Sequence, residues 1–327
     1  LLWSGSILSL VTVLSLLGVN VYGAWVETPG FNPASTTTIA SLLAACALIL
    51  GMGLFVDARK GMLRWATLLL CIPPAALLLG AGFRVAWIVA AVGLGALSIL
   101  RAKTKRTVSP VMLAALLIAL VLAVKPFVSF LKTPIEVGPS YGETMSIVKA
   151  ALADHALLGT GAASFSHEYL RFRSLPILQT PFWNLAFDWG YSGVLTFFVH
   201  HGLIGGLLLF FSVASVLFTG LWKAYKTRDE QGYLSALVAV GLALFVGAFL
   251  APTTLAFSFF FATILGLILA STVMPWQSKS MSTPRVPYPI GTVGIIILAC
   301  GVLVVQGGRS VSGAVVTLGV RDAAPDS

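Results

Sequence analysis

The chain has 327 residues, of which 58% are hydrophobic and only 9% charged. With a mean hydropathy of +0.97, this composition excludes a soluble domain of that length. A formal charge of +9 would point to nucleic acid in a soluble protein, but here the Lys and Arg residues stand in short clusters between apolar runs, where they set topology, so no nucleic-acid partner is expected.

The chain reads as an all-α polytopic membrane protein with about nine transmembrane helices, since its apolar runs have the length of about 20 residues needed to cross a hydrocarbon core. The expected spans are 1–23, 35–56, 63–80, 85–100 and 111–131, then 191–222, 233–250, 254–273 and 289–306. Leu1 opens inside an apolar run, which reads as a fragment lacking upstream helices. Pro73 and Pro74 should kink the third span, because proline removes helix hydrogen bonds. The sixth is too long for one perpendicular crossing, so its first turns should lie at the surface or tilt. This divides the chain into an N-terminal set of helices (1–131), a large loop (132–190), a second set of helices (191–306) and a short extracytoplasmic tail (307–327). Cys46, Cys71 and Cys300 lie within apolar runs without CxxC spacing, so neither a disulfide framework nor a metal site is expected.

Alternate connections carry unequal positive charge. DARKGMLR, RAKTKR, WKAYKTRDE and the segment 277–288 hold twelve of the twenty Lys and Arg residues, and five of the other eight are in or beside the large loop. The positive-inside rule therefore puts the large loop outside the cytoplasm, in a cytoplasmic (inner) membrane, with Arg84 on the same side. Within the loop, Ser140 followed by Glu143 has the capping-box form, and Met145, Val148 and Ala151 or Leu152 recur at helical spacing until Gly159 supplies a stop. A second short helix is expected from Ser164, with Phe165, Tyr169 and Phe172 on one face and His167, Glu168 and Arg171 away from it. Between them, LLGTGAASF is a glycine-interrupted turn with the makings of an anion site.

The loop holds five of the eleven acidic residues and two of the four histidines, so chemistry is expected there. Arg84, in GAGFRVAWIV, has no acidic neighbour in sequence. It reads either as a snorkelling arginine or as an anion clamp, because guanidinium presents fixed paired donors to phosphate. Arg171 and Arg173 form a second outward-facing pair, which reads either as a solvated helix end or as a further phosphate contact. His167 is the best general-base candidate, since imidazole titrates near neutral pH and Glu168 or Asp154 could orient it. His155 should meet the C-terminus of the first loop helix. His200 and His201 project about 100° apart on a helix, cannot both ligate one metal, and read as packing residues.

The run ADHALLGTGAASFSHEYLRF, followed by PFWNLAFDWGYSGVLTFFVHHGLIGGLLLF, resembles the O-antigen ligase and polymerase (Wzy-like) superfamily. Leu158, Gly159, Gly161 and Phe165 match its LxGxGxxxF element, Gly202, Gly205 and Gly206 its later glycine pair, and Arg84 its SRxxW-type segment. The likeness covers about residues 80–217 and is closest to the divergent branch of candidate-phylum bacteria. It implies a metal- and cofactor-independent membrane glycosyltransferase that moves glycan from an undecaprenyl pyrophosphate-linked oligosaccharide donor to a glycan, lipid or protein acceptor. Arg84 and one of Arg171 or Arg173 would then bind the pyrophosphate, and a loop base would activate the acceptor hydroxyl. The His-Asn pair that opens the family's next span has no counterpart near Tyr191, which leaves His167 or Asp188 as the catalytic residue, or an inactive relative that binds lipid-linked glycan or scaffolds envelope assembly. A flippase or transporter is the third reading; its mark would be paired ionisable residues at mid-membrane or an inverted repeat of broken helices.

Overall fold

A computed structural model describes residues 1–19, 32–57, 61–103, 110–124, 131–179, 183–226 and 232–273. All regular structure among the described residues is helical: α1 (Leu2–Leu16), α2 (Thr37–Asp57), α3 (Met62–Ala81), α4 (Arg84–Lys103), α5 (Pro110–Val124), α6 (Tyr141–Asp154), α7 (Phe165–Phe172), α8 (Leu175–Leu178), α9 (Gly193–Lys226), α10 (Tyr233–Leu250) and α11 (Leu255–Val273). Six of these, α2, α3, α4, α9, α10 and α11, are long and apolar enough to cross a membrane, while α1 and α5 are shorter apolar helices. Of the nine expected spans, the last, 289–306, lies outside the described residues.

The described residues divide into two compact units, one within 1–137 and 214–273 and one within Gly138–Val213, the boundary falling inside α9. In the first unit α2 packs against α1, α3, α4 and α10, and α10 against α2, α4 and α11. Small residues let these helices approach: a Cβ on Gly53 would lie 2.6 Å from that of Ala236, and one on Gly5 2.7 Å from that of Ala47. Apolar surface between helices gains nothing over lipid tails, so close backbone approach is what drives this packing.

The prolines of α3 do not end it; the helix runs from Met62 to Ala81. Pro74 has no N–H for the carbonyl of Leu70, one turn earlier. The hydroxyl of Ser6 on α1, itself buried, lies 2.5 Å from that oxygen and 2.8 Å from Leu2 O of its own helix, and the shorter contact replaces the missing bond.

One end of this unit gathers the start of α2 and the ends of α3 and α5. Leu131 N–H donates to Gly80 O at 3.1 Å, and the Glu136 carboxylate accepts from Thr38 N–H at 3.0 Å in the first turn of α2, where a negative charge complements the helix dipole. Thr254, just before α11, donates to Ala34 O at 3.2 Å at the same end. The opposite end gathers cations. Arg101, buried at the end of α4, donates to Gly53 O and Gly232 O at 3.1 and 3.2 Å, and Lys223 to Ser271 O and Thr272 O at 2.8 and 3.0 Å.

In the second unit α6, α7 and the first half of α9 share a core of Ile147, Val148, Ala151, Phe165, Tyr169 and Val199. Ser140 caps α6 as expected, its hydroxyl accepting from Glu143 N–H at 3.2 Å. The second half of the capping box is not made: the Glu143 carboxylate accepts from Ser174 N–H at 2.7 Å, tying α6 to the segment after α7. The helix stops at Asp154, with His155 as its C-cap, short of the expected stop at Gly159.

Candidate functional site

The best-defined feature of the second unit is a loop built into a broken helix. Within α9, Gly202 has φ 63 and ψ −164, which splits it into a first half up to His201 and a second from Leu203. The break falls within the sixth expected span, 191–222. A continuous helix would pair Val199 O with the N–H of Leu203 and His200 O with that of Ile204. Instead, Thr160 and Gly161 donate to the two oxygens at 2.9 and 3.0 Å, while Leu203 and Ile204 donate to Ala156 O and Leu157 O at 2.9 and 3.1 Å. The Thr160 hydroxyl adds a bond to Val199 O at 3.1 Å. Four backbone bonds thus satisfy the groups exposed by the break, as they must where water is scarce.

Glycine is required on both sides. Gly159 (φ +71) and Gly202 face each other so closely that a Cβ on either would lie 2.4 Å from the other's backbone nitrogen. These residues come from the two separate sequence elements that carry the family resemblance. Gly159 therefore acts by close approach and left-handed backbone, not as the stop of α6.

The interlock leads directly into α7. Its Ser164 hydroxyl donates to Gly161 O at 2.6 Å and lies 2.6 Å from that of Thr160. On α7, Phe165, Glu168 and Tyr169 are buried, which corrects the expectation that Glu168 faces away with His167. The spacing i, i+3, i+4 from Phe165 already contained this, because it carries Glu168 onto the apolar face. The Glu168 side chain is 6% exposed, and its Oε1 lies 3.3 Å from Nδ1 of His167, which is 78% exposed. Its Oε2 has no hydrogen-bond partner among the described residues and lies 3.9 Å from Nη1 of Arg171, whose Nη2 meets Asp154 Oδ2 at 2.8 Å. With Nδ1 donating to the carboxylate, Nε2 of His167 is the lone-pair nitrogen, the arrangement by which a buried carboxylate fixes a histidine base.

Arg173 donates to Trp183 O. Tyr169 is wholly buried, its hydroxyl without a hydrogen-bond partner among the described residues and its ring edge-on to Phe187. Burial pushes its phenol above the ordinary tyrosine range; the Arg173 charge opposes this and that of Glu143 adds to it.

The other expected residues are separately placed. Asp188 is exposed on the segment before Gly190. Tyr191, which stands where the family resemblance expects histidine, donates its N–H to the Thr144 hydroxyl at 2.9 Å, with its ring edge-on to that of Tyr141. His200 is buried and His201 half-buried, their rings 6.2 Å apart and nearly perpendicular.

Arg84 belongs to the first unit, as the first residue of α4. Its Nε and Nη2 donate to Ala123 O and Val124 O, both at 2.9 Å. It thus caps the end of α5, a contact that the sequence did not announce, and this offsets a cation's unfavourable place at the start of α4. It lies at the end of the unit where Leu131 N–H meets Gly80 O. Among the described residues no group of three or more His, Cys, Asp or Glu side chains is arranged to hold a metal ion. Compared with known proteins, the chain matches no family model and no curated protein.

Proposed function

We propose that the chain is a membrane glycosyltransferase of O-antigen ligase or polymerase type, with nine spans in a cytoplasmic membrane and the segment 132–190 outside it. It would transfer glycan from an undecaprenyl pyrophosphate carrier to an acceptor hydroxyl. The observation that carries this reading is the interlock of Gly159 with Gly202, which gives a physical reason for the glycines of both sequence elements and anchors the His167–Glu168 pair beside a helix break. His167 is assigned as the base and Glu168 as the residue that orients it. The resemblance assigns the pyrophosphate to Arg84 and to Arg171 or Arg173. Because Arg171 stands against two carboxylates, Arg173 is the better of the two for an anion. Pyrophosphate is already a good leaving group, so the protein need only position the reactants, neutralise charge and take one proton.

The test is transfer in proteoliposomes from an undecaprenyl pyrophosphate-linked oligosaccharide. His167→Ala should lower turnover by about 10²–10⁴-fold, the usual worth of a general base. Arg84→Ala should abolish transfer, and Arg84→Lys should restore it in part. Unchanged turnover in His167→Ala would remove that residue as the base and leave Asp188.

Tyr191, in place of the family's histidine, favours one second reading, an inactive relative that binds the lipid-linked glycan. Saturable carrier binding without turnover by the folded wild type would select it.

A further inference from the structure

We propose that Leu157 and Leu158 anchor the loop beside the α9 break in the bilayer, their side chains entering the acyl chains of the adjoining leaflet. The anchor is independent of glycan transfer and rests only on α9 crossing a membrane.

The length of α9 sets the level of its break. Its 34 residues would extend about 51 Å as one helix, well beyond the ~30 Å of a hydrocarbon core. The last turn marks one interface: Lys223 and Lys226 stand there and Trp222 is exposed, the residue types that collect at lipid headgroups. From Trp222 back to Leu203 the helix is unbroken and about 30 Å long. The break at Gly202 falls at the opposite interface, and Leu203 and Ile204 are the first residues of α9 in the hydrocarbon.

The loop joins the helix at that level, since Ala156 O and Leu157 O accept from Leu203 and Ile204 N–H at 2.9 and 3.1 Å. Leu157 and Leu158 are 62% and 75% exposed. Ile204, to which Leu157 is bonded, opens an exposed apolar stripe continued at helical spacing by Leu208 and Phe211. The stripe faces lipid along the span, and the two leucines extend the same apolar surface past its end. The backbone here can meet the hydrocarbon edge because its polar groups are spent on the protein: Gly159 N–H donates to His155 O at 3.0 Å, and Thr160 and Gly161 N–H to carbonyls of α9. A soluble protein partner would need the leucines clear of the membrane surface, whereas their bonds to the first turn of the crossing segment hold them at it.

The test is quenching of a fluorophore carried by Leu157→Cys and, separately, by Leu158→Cys. The full chain, with Cys46→Ala, Cys71→Ala and Cys300→Ala, is reconstituted in phosphatidylcholine vesicles. A nitroxide high on the lipid acyl chain should quench both labels more than one near the chain end, and the order should reverse for a label on Phe211→Cys, further along the span. Aqueous iodide should leave the labels at Leu157 and Leu158 unquenched. All three labelled side chains are exposed, so no packing is lost by the substitutions. Quenching by iodide overturns the anchor, and so does quenching by neither agent, which would mean that protein covers the leucines.

Discussion

The two units use the same residue types in opposite ways. In the helical unit a cation goes to backbone carbonyls at helix ends: Arg84 to the end of α5, Lys223 to the end of α11, Arg101 to Gly53 and Gly232. In the loop unit Arg171 goes to Asp154 and stands beside Glu168, and only Arg173 keeps to a backbone carbonyl, that of Trp183, among the ion pairs and bonds described there. Glycine divides likewise. Gly53 makes room for a neighbouring side chain, whereas Gly159 and Gly202 make room for each other's backbone and the hydrogen bonds around it. In an apolar setting the charge is met by dipoles already fixed in the helices, which avoids bringing in a second desolvated ion. Where water reaches the surface, carboxylates can share the work.

The sharpest way to break this comparison is to add one methyl group to each kind of glycine. Gly202→Ala combines a forbidden left-handed backbone with overlap on the Gly159 nitrogen, so a loss of more than about 3 kcal/mol is expected. In a thermal melt with hydrogen exchange, the amides of Thr160, Gly161, Leu203 and Ile204 should lose protection together. Gly53→Ala keeps helical backbone and can be relieved by a helix shift, at a cost of about 1–3 kcal/mol. Equal losses in the two variants would mean that the interlock is ordinary packing.

Ser6→Ala tests the helical unit alone. It leaves Leu70 O unsatisfied in an apolar setting and should cost about 1–3 kcal/mol; restored stability in the double variant Ser6→Ala with Pro74→Ala would show that the hydroxyl serves the proline.

The smallest effect should have the opposite sign. The buried Tyr169 hydroxyl has no hydrogen-bond partner among the described residues, so Tyr169→Phe should be neutral or stabilise by up to about 1 kcal/mol. Its phenol is raised in the folded state. The stability tied to the neutral form is therefore fully present below the unfolded value of about 10 and is lost as pH rises through the folded one. A wild-type alkaline decline that Tyr169→Phe retains unchanged would assign that decline to another group.

Much of this was legible in local pattern. The Ser140 cap, the amphipathic course of α6 and α7, and the divergence of His200 from His201 depend on residues within a turn or two of each other. Glu168 was equally local, and its burial was missed because its charge was weighted above its place on the helical stripe. The end of α6 was misread for a different reason: Gly159 has a stop's residue type, but its backbone is set by contact with α9, far along the chain.

By itself the sequence determined the class: apolar runs that can be satisfied only as helices, basic clusters between them, and one long polar segment rich in glycine and titratable groups. Only tertiary structure decided what the distinctive residues meet. Ser6 reaches a carbonyl orphaned 64 residues away, Arg84 a helix end 39 residues away, and Gly159 the break at Gly202. Ser6 and Arg84 complete hydrogen bonds that the segments they reach leave open, and the close approach of Gly159 lets the amides of Thr160 and Gly161 do the same at the break. In an apolar surrounding such a group must find a partner from the protein, and nothing in local spacing says which partner that will be.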